Sequence, residues 1–156
     1  MTGGSARHLS EPAFPDDDGS MNRRLAEASD QIERLAVIGA VRLLVPVVAI
    51  RGDVPADGDK ESEMAAVFTT GADGRRALLA FSSSETMRSW DPEARPVAVS
   101  GRDAARAALD EGAHALVVDI AEPDMWVVET DDLSHIASGH TLVRTDAGSA
   151  WTRGPA

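Results

Sequence analysis

Leu78-Leu79-Ala80-Phe81-Ser82-Ser83-Ser84-Glu85-Thr86-Met87 passes from an apolar strand pattern directly into a helix start. Ser82 and Glu85 have the S-x-x-E spacing of a capping box, in which the Ser82 hydroxyl accepts from the Glu85 amide and the Glu85 carboxylate reaches back to the Ser82 amide. A strand that feeds a capped helix implies a sheet with helices packed on it. Upstream, Met64 to Thr70 and Arg76 to Phe81 read as two strands joined by the turn Gly71-Ala72-Asp73-Gly74, a separation short enough to make them an antiparallel hairpin. Val41 to Ile50 (VRLLVPVVAI) is an almost unbroken apolar run and reads as a strand buried on both faces, with a bulge or a sheet edge expected at Pro46 because proline cannot donate to a ladder.

Outside these strands, Leu25, Ala28, Ile32 and Leu35 or Ala36 recur at helical spacing, so Arg23 to about Val37 reads as one amphipathic helix between an Asn22 cap and a Gly39 stop. After the Ser82 helix, which Asp91-Pro92 should end, Pro96 to Val99 reads as a strand. Ser100-Gly101-Arg102-Asp103 repeats the cap, and Ala104, Ala105, Ala108 and Leu109 mark the buried side of a helix ending near Gly112. Two more strands (115–120 and 125–129) and a short helix from Thr130 to Ile136 follow. The fold class is therefore α+β, a single domain over residues 22–137, with a mixed, partly antiparallel sheet of five to six strands and three to four helices. Residues 1–21 are too polar to repay ordering and read as a disordered N-terminal tail. Residues 138–156 read as a C-terminal extension: a strand remnant, a tail or a partner-binding arm.

Composition narrows the function. The chain has 156 residues, with 15 basic against 26 acidic side chains and a formal charge of -11, which opposes binding to nucleic acid or to an anionic membrane. The absence of cysteine removes thiolate nucleophiles, thiolate zinc sites and iron–sulfur ligation. No apolar segment approaches the roughly 18 residues of a membrane span, and Met1 to Pro15 lacks the apolar core of a signal peptide, so a cytoplasmic protein is expected.

Three stretches together resemble a known family. Leu44-Val45-Pro46-Val47, the junction Leu79-Ala80-Phe81-Ser82-Ser83-x-Glu85-x-Met87, and Gly112-x-x-Ala115-Leu116-Val117-Val118 are similar to the N-terminal domain of the SseB (enhanced serine sensitivity) family, over about Asn22 to Ile136. Ser82 stands where that family's junction has threonine. The turn Asp119-Ile120-Ala121-Glu122-Pro123-Asp124 keeps a proline but lacks the family's Asn-Pro-Gly pattern. The resemblance implies a mixed α+β domain with no assigned enzymatic activity and leans toward a binding role.

The candidate sites are few. Ser82, Ser83 and Ser84 with His114 or His135 and Asp119 can be drawn as a hydrolase triad, but no G-x-S-x-G elbow surrounds the serines and capping already explains Ser82 and Glu85. The helix starts at Ser82, Ser83, Ser84 and at Gly101 could hold a small anion with help from Arg102, unless Ser82 and Ser100 satisfy those amides internally. For metals, His135 and His140 lie five apart, on different faces of a helix, and Asp57, Asp59 and Glu61 imitate a calcium loop without its glycine or closing glutamate. Trp151, followed two residues later by Arg153, is a candidate interface anchor; docking onto its own domain is the competing reading. The expectation is a non-catalytic interaction domain, with a protein partner or a second copy, no cofactor and no metal.

Overall fold

The computed structural model describes residues 14, 16–50 and 63–153. Among these residues it has five helices and nine strands: α1 (Arg23–Glu27), α2 (Gln31–Ile38), β1 (Arg42–Ile50), β2 (Glu63–Ala66), β3 (Phe68–Thr70), β4 (Arg76–Ala80), α3 (Ser84–Trp90), β5 (Arg95–Ser100), α4 (Gly101–Asp110), β6 (Ala115–Val118), β7 (Trp126–Glu129), α5 (Thr130–Ala137), β8 (His140–Thr145) and β9 (Gly148–Arg153). They form sheets of order β2-β1-β5, β3-β4-β6-β7 and β8-β9. Only β4 and β6 are parallel; the other pairs are antiparallel. The class is α+β with mixed sheets, and the strand count exceeds the expected five to six because two segments divide differently.

The first is residues 64–70, expected as one strand. It breaks at Val67, whose amide donates to the Pro46 carbonyl at 3.2 Å while its own carbonyl accepts from Leu79 at 3.1 Å. One half therefore pairs with β1 and the other with β4, and a Leu44↔Phe81 bridge stitches the two sheets together beside it. The second is residues 140–153, which form the β8–β9 hairpin rather than a remnant or tail. A two-stranded ribbon is marginal alone. Here Leu142 is buried in the main core, and Arg144 bonds Asp30 at 2.9 Å.

Alternation explains why the strands read as continuous apolar runs. Leu43, Val45, Leu78, Ala80, Leu116, Val118, Trp126 and Val128 point to one face, where α2, α4 and α5 cover them. Leu44, Ala77, Leu79, Phe81, Ala115 and Val117 point to the other, where Met87 and Trp90 of α3 pack. With a helix on each face, the middle positions of β4 and β6 are apolar on both sides. Phe81 is fully buried and its ring lies 5.4 Å from that of Trp90; a side chain of that size contributes about 1.5–3 kcal/mol by burial.

Three expectations are corrected. Pro46 is in the central strand β1, neither bulged nor at an edge; it pairs with Pro96 across β1 and β5. Two prolines can face each other only at a non-hydrogen-bonded position, where neither needs an N–H toward its partner. The helix expected over Arg23 to Val37 is two helices, because Asp30 leaves helical geometry and its side chain caps Glu33 as the start of α2. Finally, Asp16 to Met21 do not hang free as a tail. They lie along the domain as a strap, with the Gly19 carbonyl accepting from the Ser84 amide at 2.7 Å and Asp17 paired with Arg42. Asp57, Asp59 and Glu61 lie outside the described residues.

Candidate functional site

The parallel pair β4 and β6 ends, on its carboxyl side, at Ser82 and Asp119. Clefts beyond such strand ends are where open α/β sheets place their ligands. Both residues are buried, and both are polar. Asp119 adopts a left-handed conformation with φ 60°, which makes it the one non-glycine residue with positive φ among the described residues. Aspartate and asparagine tolerate that geometry better than other side chains. It turns the Asp119 carboxylate back over the end of β4. Its Oδ1 accepts from the Ser82 amide at 2.8 Å and from Thr86 Oγ1 at 2.7 Å; its Oδ2 accepts from Ser82 Oγ at 2.6 Å.

This latch corrects the capping assignment. Ser82 is not the helix cap, because both of its donors are given to Asp119. The cap is Ser83, whose hydroxyl accepts from the Thr86 amide at 3.1 Å while Thr86 Oγ1 receives the Ser83 amide. Glu85 is exposed in the first turn, where its charge suits the helix dipole. On the other side of Ser82, its carbonyl accepts from Arg42 Nη1 at 2.9 Å. Arg42 is 6% exposed. Asp119, Ser82 and Arg42 thus form one buried polar chain across the ends of β6, β4 and β1. A cleft of about 190 Å³ opens above it, walled by Leu25, Arg34, Asp124 and Trp126. Arg34 already covers the Trp126 ring, 5.5 Å from its centroid.

The serine triad is not assembled. Ser82 and Asp119 meet, but His114 precedes β6 and Asp119 follows it, so the whole strand separates them, about 16 Å at 3.3 Å per residue. His135 lies on α5, a helix on the opposite face from α3. Ser82 is 1% exposed and its hydroxyl is committed to Asp119.

The two helix starts proposed for an anion do not converge, since α3 and α4 pack on opposite faces of the sheet. Ser84 N–H goes to Gly19. Gly101 N–H goes to the Val41 carbonyl at 2.9 Å, Arg102 N–H to Gly39 at 3.0 Å, and Asp103 N–H to Ser100 Oγ at 3.0 Å. The Arg102 side chain turns away: its Nε donates to the Ala137 carbonyl at 3.3 Å, joined there by Arg106, where two cations suit the carboxyl end of α5.

His140 is not on the helix of His135. Gly139, at φ 83°, ends α5 and reverses the chain, so that the two Nδ1 atoms meet at 2.9 Å. Trp151 stacks on His135 with centroids 4.8 Å apart and rings 8° from parallel, and its Nε1 donates to Asp132 at 3.3 Å. Among the described residues no group of three or more His, Asp or Glu side chains is placed to hold a metal ion. Trp151 is turned onto its own domain, whereas Arg153 is exposed. Trp151→Ala is therefore expected to lower monomer stability by about 1–2 kcal/mol, part of the usual cost of truncating a buried tryptophan, without changing self-association. Circular dichroism and light scattering on the same samples measure both; weaker association at unchanged stability would make Trp151 an interface anchor instead.

Arg42 and Asp17 were not singled out in the sequence. A lone arginine opening an apolar strand, Val41-Arg42-Leu43-Leu44, was the available signal, since a charge at that place is buried and needs partners.

A family model described as SseB protein N-terminal domain matches residues 22–135. The chain belongs to the SseB family. Neither a curated protein nor a solved structure matches it. The match spans α1 through nearly all of α5, so the Ser82–Asp119 latch lies inside the SseB domain, while the strap and the β8–β9 hairpin lie outside the matched stretch.

Proposed function

We propose that this SseB domain is a non-catalytic, cytoplasmic protein-interaction module. The observation that carries the reading is the commitment of Ser82: the residue at the centre of the junction is buried and gives both donors to Asp119, so it serves as a tie between strands and not as a nucleophile. A nucleophilic serine needs a base within hydrogen-bond reach and an exposed oxygen. Neither helix start offers an alternative ligand site, because the amides that would hold an anion are paired internally. The net charge of -11 argues against nucleic acid as the partner. No helix among the described residues is long and apolar enough to cross a membrane. A protein partner or a second copy fits these properties best.

A fluorophosphonate probe tests the non-catalytic half. No labelling of Ser82, Ser83 or Ser84 is expected in the folded protein under conditions that label a serine hydrolase fully. Stoichiometric labelling at any of the three would return the hydrolase reading. Cross-linking with mass spectrometry in cells tests the interaction half: reproducible cross-links to one protein, or between copies, are expected.

A further inference from the structure

Arg42 is a buried cation, and the chain meets it with its own carboxylate, Asp17. A guanidinium keeps its charge at all accessible pH, so one removed from water must be met by acceptors. Of the acceptors around Arg42, Ser82 O belongs to the rigid sheet. The other two, Asp17 Oδ1 at 2.9 Å from Nη2 and the Ser20 carbonyl, both belong to the strap. Nε lies 2.9 Å from Asp17 Oδ2 as an ion pair, yet without the alignment of a hydrogen bond, so this buried donor has no hydrogen-bond partner among the described residues.

The two sides of the contact are built differently. Arg42 is fixed at the start of a central strand and is more than nine-tenths buried. The strap is polar throughout from Asp16 to Ser20, and its internal bonds are short-range turns, Gly19 N–H to Asp17 and Ser20 N–H to Asp18. Beyond Arg42, residues 16–20 are held to the domain by the Gly19–Ser84 bond, and the strap is anchored at its α1 end by Met21, which packs against the main core. A cleft of about 530 Å³ runs between the strap, Asn22 and Arg42. Segments with few apolar contacts and exposed hydrogen bonds open at low free-energy cost. When this one opens, the Arg42 guanidinium faces the cleft, where water or another anion can take the place of Asp17.

We propose that Arg42 is a binding site for a carboxylate on an acidic segment of a protein partner, and that Asp17 is its tethered occupant, exchanged when the partner arrives. The inference rests on the interaction reading above and names the chemistry of the partner.

The experiment uses the full chain and a fluorescein-labelled peptide of residues 14–21, read by anisotropy at low salt. Asp17→Ala should bind the peptide at least roughly tenfold more tightly than the parent, whose tethered strap competes at high effective concentration. Gly19→Ala should shift affinity in the same direction with Asp17 intact, because alanine is strained at a φ of +84° and its Cβ would remain 3.2 Å from Ser84 Cβ even after the Ser84 hydroxyl rotates aside, which weakens the strap's hold. Adding Arg42→Gln to either variant should abolish binding, with Arg42→Lys and circular dichroism showing whether the fold survives. A peptide with Asn in place of its three Asp should not bind. Equal affinity for the parent and both strap variants, or equal binding of the Asn peptide, would overturn the proposal. Displacement of the peptide by equimolar succinate would overturn the protein-segment source in favour of a small carboxylate. If these fail while cross-links to a partner persist, the Arg42 site is wrong and the interaction reading stands.

Discussion

Asp119→Ala is expected to lower folding free energy by about 3–5 kcal/mol, since it removes the acceptors of three hydrogen bonds and strands the buried Ser82 amide and hydroxyl. Part of the loss is conformational: alanine at φ 60° is strained where aspartate is tolerated. Two further substitutions separate the contributions. Asp119→Gly relieves the backbone and leaves the donors unmet, so it should recover about 1 kcal/mol of the alanine loss. Asp119→Asn keeps the conformation and one good acceptor, and should cost about half as much as alanine, because the Ser82 hydroxyl can rotate to accept from the new amide. Urea denaturation followed by circular dichroism orders the three. If alanine costs less than about 1 kcal/mol, the latch is not what holds β4 to β6 at this end.

Gly101→Ala is expected to be comparably severe for a purely steric reason. A Cβ there would stand 1.8 Å from the Ile38 carbonyl oxygen, which is backbone and cannot rotate away. Either α4 must withdraw, breaking the Gly101 and Arg102 amide bonds to Val41 and Gly39, or the end of α2 must move out of the core. Either route should cost about 3 kcal/mol or more, in the range of overpacking that reaches the backbone. Gly112→Ala is the control: it has positive φ but open space around it, so it should cost only about 1 kcal/mol. Thermal melts of the two variants test the difference. Similar melting temperatures would mean that the α2–α4 junction is looser than its geometry shows.

Sheet and helix positions were legible because their signals are local. The continuous apolar runs of β4 and β6, the Ser100 cap and the Asp91-Pro92 stop each lie within a few residues of the element they define. The break between α1 and α2 was legible too, in Asp30-x-x-Glu33, but the apolar spacing running across it, from Leu25 through Ala28 to Ile32, concealed it. What could not be read is decided by distant residues. Ser82-x-x-Glu85 carries the sequence signature of a capping box and Ser83-x-x-Thr86 overlaps it; Asp119, 37 positions away from Ser82, selects the second by taking Ser82 for itself. The acidic strap reads as disordered by composition, and becomes ordered because Arg42, 25 positions from Asp17, needs an anion. The strand over residues 64–70 has no internal signal for its break, which exists because β1 and β4 both claim it. Of the residues nominated for a site, Ser82 lines the candidate cleft, whereas Ser83, Ser84, Gly101 and Arg102 do not.

The pairing of Pro46 with Pro96 bears on how this protein behaves when crowded. In the sheet β2-β1-β5, strand β5 has no neighbour on its outer side among the described residues. An open strand invites identical molecules to add on and grow into fibres. The face-to-face register with Pro46 directs the Pro96 nitrogen outward, so the growing side lacks a donor where an incoming strand would require one. The chain is thus guarded, along this margin, against polymerising with itself.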